Sequence, residues 1–100
     1  MSKPAHFKFR LYVAGDGPNS NLAIANLQAL CREHLLDRHE IEIVDVFLEP
    51  KRALADGVVL TPMLVKLSPA PVCKIIGCLS QTKRALLALD LPAHLNGNGT

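Results

Sequence analysis

One hundred residues, 49% of them hydrophobic, supply material for a single domain with one modest core. A net charge of +2 with no block of Lys or Arg, one Tyr, three Phe and no Trp leave neither an electrostatic footprint nor a stacking platform for nucleic acid. No apolar run approaches the ~18 residues of a membrane span, and the amino end MSKPAHFKFRLYV lacks a signal-peptide run. A cytoplasmic chain with no membrane contact is therefore expected.

Residues 7–13 alternate Phe7, Phe9, Leu11 and Val13 with Lys8, Arg10 and Tyr12, the period of a strand with one buried face. Ala14-Gly15-Asp16-Gly17 is a turn, and Pro18 suits the first turn of a helix. Ala23, Ile24, Leu27, Leu30, Cys31, His34 and Leu35 recur at helical spacing, predicting a helix over 18–36. After the polar Asp37-Arg38-His39, residues 40–46 (EIEIVDV) read as a second strand, apolar towards both faces like a central parallel strand. Strand, helix and strand in this order imply a right-handed crossover.

Pro50 opens a short helix over 51–56, and Gly57 closes it as a left-handed residue beyond the helix end. Thr61-Pro62 stops the next apolar run and acts as a hinge, at one of the few places where a cis peptide bond is tolerated. Residues 63–67 and 72–76 are strands separated by Ser68-Pro69-Ala70-Pro71. Ser80 caps a last helix over 81–91, with Ala85, Leu86 and Leu89 inward. Leu91-Pro92 ends it, and 92–100 is a tail on a single domain of 1–100. The order β-α-β-α-β-β-α, with a proline before the third strand, is a thioredoxin-like α/β arrangement.

Thiol chemistry needs a thiolate at a helix amino end and a resolving thiol nearby. The corresponding turn is Gly17-Pro18-Asn19-Ser20, with no thiol, and Ser20 has no evident base. Cys31, Cys73 and Cys78 form no Cys-x-x-Cys and are expected to be reduced, buried small side chains. His6, His34, His39 and His94 match no metal spacing, and no phosphate-binding glycine loop occurs. No catalytic, metal or cofactor site is expected.

Tyr12-Val-Ala-Gly15, Gly17-Pro-Asn-Ser20, Val44-Asp-Val46 followed by Pro50, Leu60-Thr-Pro62, Pro69-x-Pro71 before Val72, Ile75-Ile-Gly77, Leu79-Ser80 and Leu89-Asp-Leu91 form one collinear set over 7–91. As an ordered set they resemble the KaiB family of clock proteins. The resemblance implies a non-enzymatic regulator that binds the amino-terminal ring of a KaiC-type ATPase and modulates its phosphorylation in a circadian, timing or stress system. It also implies sequestration of KaiA where a clock has it, competition with a SasA-type kinase, and self-association to a dimer or tetramer. Such proteins exchange a tetrameric βαββααβ ground state for a monomeric thioredoxin-like state. The alternative, from another class, is a thiol- or glutathione-dependent redox protein.

Carried onto this sequence, the partner surface is Glu42, Asp45, Glu49, Lys51 and Arg52, with Lys66 beside the hinge. The fold-switch positions are Thr61, Pro62, Pro69, Pro71 and Ala88, because prolines cut 58–91 into short segments ambiguous between helix and strand. Ala88 stands where the family often has Gly, which favours helix by ~1 kcal/mol. Cys73, Cys78, Gly57 and Leu22 replace charged residues usual in the family, so a divergent member serving another KaiC, without KaiA, is expected.

Overall fold

The structure, a computed structural model, describes residues 6–89, the side chain of Thr82 apart. Along β1 (Phe7–Val13), the alternating Phe7, Phe9, Leu11 and Val13 all enter one apolar layer. Gly15 turns the chain at φ 63°, and Pro18 takes the first turn of α1 (Pro18–His34). Ala23, Leu27, Leu30 and Cys31 are its buried stripe. The helix stops at His34, two residues before the expected end, as Leu35 leaves helical geometry and Asp37 adopts φ 58°.

β2 (His39–Asp45) pairs parallel with β1, whose other side pairs antiparallel with β3 (Met63–Ser68). β4 (Cys73–Ile76) lies antiparallel to β3, giving a four-stranded sheet in the order β2-β1-β3-β4. The apolar pattern of β2 suggested a central strand, but β2 is an edge and Ile43 is 42% exposed. The central strand β1 is covered on both faces, not one: Tyr12, on its more polar side, is 0% exposed. Alternation misled here because the covering of the second face comes from distant residues.

That cover is α2 (Pro50–Ala55), whose Ala53 packs with Tyr12, Val44, Met63 and Val65. The opposite face carries α1 and α3 (Thr82–Ala88), with Leu27, Leu64, Ala85 and Leu89 in the larger apolar cluster. As the sequence predicted, Gly57 (φ 70°) closes α2: the Gly57 and Val58 amides donate to the carbonyls of Leu54 (3.1 Å) and Ala53 (2.9 Å). Thr61-Pro62 is cis, as are Ser68-Pro69 and Ala70-Pro71 between β3 and β4.

The cap of α3 differs from expectation. Gln81, not Ser80, is the N-cap residue, and no side chain caps the helix. Leu79 adopts φ 64°, a conformation that costs a non-glycine residue about 1–2 kcal/mol. Burying its side chain to 7% exposure offsets that strain. α3 ends at Ala88 with Leu89 as its C-cap, three residues before the expected end at Leu91, and the 92–100 tail lies outside the described residues. No helix among the described residues is long and apolar enough to cross a membrane.

Candidate functional site

At the start of α1, Ser20 is 4% exposed and its Oγ accepts a hydrogen bond from the Ala14 amide at 3.2 Å. The hydroxyl ties the turn to the helix, a structural task. Cys31 is buried within α1, and burial pushes its thiol up to about 12. Cys73 and Cys78 are only half-buried, contrary to expectation, because one lies on an edge strand and the other in the connection after it. The Cys73 thiol donates to the Pro71 carbonyl at 3.4 Å. Among the described residues, His, Cys, Asp and Glu form no group suited to a metal ion.

Chemistry of a different kind gathers where β1, β2 and α2 meet. Arg10 Nε donates to Glu42 Oε1 at 2.9 Å, and its Nη1 donates to Asp56 Oδ2 at 3.0 Å. The buried Tyr12 hydroxyl donates to the same Asp56 oxygen and also lies 3.3 Å from the Arg52 carbonyl. Arg52 in turn reaches Glu42 at 2.8 Å and Glu49 at 3.3 Å. The hydrogen bond from Tyr12, followed by that from Arg10, holds the Asp56 carboxyl below its ordinary range. Arg10 and then Arg52 do the same for Glu42, while burial raises the Tyr12 phenol. This network clamps α2 onto the sheet in one orientation.

Around the clamp several large apolar side chains are exposed. Phe47 (72% exposed) and Leu48 (79%) precede α2, Leu54 (77%) lies on it, and Val59 and Leu60 follow it. Large exposed side chains on α2 and the connections flanking it, next to fixed charges, make a surface suited to docking another protein.

The structure brings Glu42, Glu49, Lys51 and Arg52 together at this rim, with Arg52 half-buried and the other three exposed. Asp45 lies at the end of β2, but its Oδ1 accepts from the Phe47 amide at 2.9 Å and the Gly15 amide at 3.3 Å, so it shapes the turn. Lys66 does not join the rim. It is 1% exposed, on the α1 face, with its ammonium 5.8 Å from the centre of the Phe7 ring. Of the fold-switch positions, Pro62 is buried, Thr61 and Pro69 are half-buried, and Pro71 and Ala88 are exposed, Ala88 as the last residue of α3.

Sequence reasoning missed Arg10, Tyr12 and Asp56. Arg10 and Tyr12 sit on the side of β1 that alternation assigned to solvent, and Asp56 looked like an ordinary helix-end residue. A hint was present in the tyrosine itself, a bulky ring placed among the polar positions of a strand.

A four-stranded sheet with α1 and α3 on one face and α2 on the other is a thioredoxin-like arrangement, here with Gly17-Pro18-Asn19-Ser20 and no thiol at the start of α1. Solved structures share that fold. The amino-terminal domain of Synechococcus elongatus SasA superposes with a TM-score of 0.71 at 17% identity, covering 87% of this chain and 83% of that one. Mitochondrial thioredoxin 3 of Saccharomyces cerevisiae gives 0.68 at 20% identity, covering 89% and 82%. The sequence narrows the class further: residues 10–91 match the KaiB domain, and the chain belongs to the KaiB family. The circadian clock protein KaiB3 of Synechocystis sp. is 43% identical over 82 residues, 82% of this chain and 80% of that protein. The circadian clock oscillator protein KaiB of Synechococcus sp. is 38% identical over 91 residues, 91% of this chain and 83% of that protein.

Proposed function

We propose that this chain is a non-catalytic regulator that docks on a KaiC-type ATPase ring and modulates its phosphorylation state, using the rim of β2 and α2. Family membership supports the partner class. The observation that carries the docking reading is the exposed set Phe47 and Leu48 in the turn before α2 and Leu54 on it, beside Glu49, Lys51 and Arg52, with α2 clamped by Arg10, Tyr12 and Asp56. Apolar anchors supply most of the affinity, and the charges set orientation and association rate. The fold shared with the SasA amino-terminal domain supports competition with a SasA-type kinase for one ring, and the lost charges at Leu22, Gly57, Cys73 and Cys78 favour a KaiC system that works without KaiA.

The carboxyl half is proposed to hold a second arrangement, the βαββααβ tetramer. α3 is seven residues long, lacks a side-chain cap and is preceded by the strained Leu79, all signs of a weakly held element. Ala88 biases the exchange towards helix.

The test is co-purification of the tagged chain with each KaiC protein of its host under ATP, alongside Leu54→Asp. Association lost in that variant, with an unchanged circular dichroism spectrum, supports the reading. Failure to bind any KaiC ring, or turnover of a disulfide substrate by the purified chain, overturns it. For the second arrangement, strand instead of helix over 85–91 in a near-complete tetramer by NMR contradicts the bias assigned to Ala88.

A further inference from the structure

We propose that the groove between β4 and α3 takes up an extended acidic segment of a partner protein as a fifth strand of the sheet. The site lies at the sheet edge opposite β2 and does not depend on the KaiC reading. Among the described residues β4 has a neighbouring strand on one side only, so alternate backbone N–H and C=O groups face outward with no described strand to pair them. Beside that edge runs a groove of about 640 Å³, floored by Ile75, Leu79, Ala85 and Ala88. Gly77 adds open space, since nothing lies within 4 Å of where its Cβ would be.

Charge selects the occupant. Two cations, Lys74 and Arg84, are among the residues that line the groove, and among the described residues no carboxylate does. Lys74 Nζ donates to the Asp56 carbonyl at 2.8 Å and also feels that residue's carboxylate, while Arg84 Nη1 donates to the neutral Gln81 Oε1 at 3.1 Å. Both keep further donors for a ligand carboxylate. Lys74 projects on the α2 side of the sheet and Arg84 stands on the α3 side. A strand laid along β4 turns successive side chains to these two sides, so carboxylates on either side meet a cation and apolar residues meet Ile75 and Ile76. A second copy fits less well. Two-fold pairing of β4 with β4 brings like charges together, and the acidic edge of β2 is already neutralised by Arg10 and Arg52 at Glu42.

The probe is a fluorescein-labelled octapeptide of alternating glutamate and valine, compared with its lysine–valine counterpart and with a version N-methylated at alternate residues. Anisotropy is expected to show the glutamate peptide binding about tenfold more tightly than the lysine peptide, with affinity falling as salt rises. Arg84→Glu, an exposed position that leaves the core untouched, is expected to weaken it about fivefold. The N-methylated peptide is expected to fail, and amide shifts to fall in 73–80 and not in His39–Asp45. Equal binding of both peptides, undiminished binding of the N-methylated one, or shifts confined to β2 overturn the proposal. So does binding of neither peptide, which leaves Lys74 as a guard that keeps edges of copies apart. Sedimentation of the free chain as a dimer, with 73–80 protected, assigns the edge to a second copy and also overturns it.

Discussion

Replacing Tyr12 with Phe removes one hydroxyl from the clamp and nothing else. The ring is 0% exposed and stays packed against Val44 and Ala53, so no cavity opens. What is lost is a hydrogen bond to an ionised carboxylate, an interaction contributing about 1.5–3 kcal/mol when buried. Asp56 keeps Arg10 at 3.0 Å, and its side chain is 29% exposed, so part of the loss is recovered by water. About 2 kcal/mol is therefore expected at pH 7. With an m-value of about 1–1.5 kcal/mol/M for a chain of this length, the urea midpoint falls by about 1.5 M. The pH dependence supplies a sharper check. The folded-state carboxyl of Asp56 is depressed, so its contribution is fully present above the unfolded value of about 3.9 and fades as pH drops through the lower folded value. The gap between the parent chain and Tyr12→Phe should accordingly narrow below about pH 4. A midpoint unchanged at pH 7, or a gap that does not vary with pH, refutes the clamp as an energetic element.

Leu64, 0% exposed between the helices and the sheet, gives an independent measure of the core: Leu64→Ala is expected to cost about 3 kcal/mol and lower Tm by roughly 15 °C in a thermal scan. Gly57→Ala meets only the flexible Lys74 end at 3.9 Å, so its cost of about 1 kcal/mol in urea unfolding reports the left-handed backbone alone. Titration with a disulfide reagent at pH 8 should modify Cys73 and Cys78 in the native chain and reach Cys31 only in denaturant, since Cys31 is buried with its thiol near 12.

Periodicity and punctuation made the local elements legible. Phe7 to Val13 at a period of two, the helical stripe from Ala23 to Leu35, Pro18 and Pro50 at helix starts, and Gly57 beyond a helix end are all properties of neighbouring residues. Each was read correctly to within two residues, apart from the end of the last helix, which comes at Ala88 and not at Leu91. Even the missing thiol at the start of α1 was visible, because the chemistry depends on four consecutive positions.

Tertiary structure decided the rest, and for one physical reason: burial and electrostatic partnership are set by segments far apart in sequence. That β2 is an edge follows from β3 pairing with the other side of β1, a choice that no pattern within EIEIVDV records. Tyr12 and Asp56 are 44 residues apart and meet only because α2 folds back over β1. Lys66, which the sequence placed at a charged surface, lies under the α1 face because β3 turns that position towards Phe7. A short stretch of chain specifies what it becomes locally; which of its faces meets water, and which charge meets which, is specified only when the whole sheet has closed.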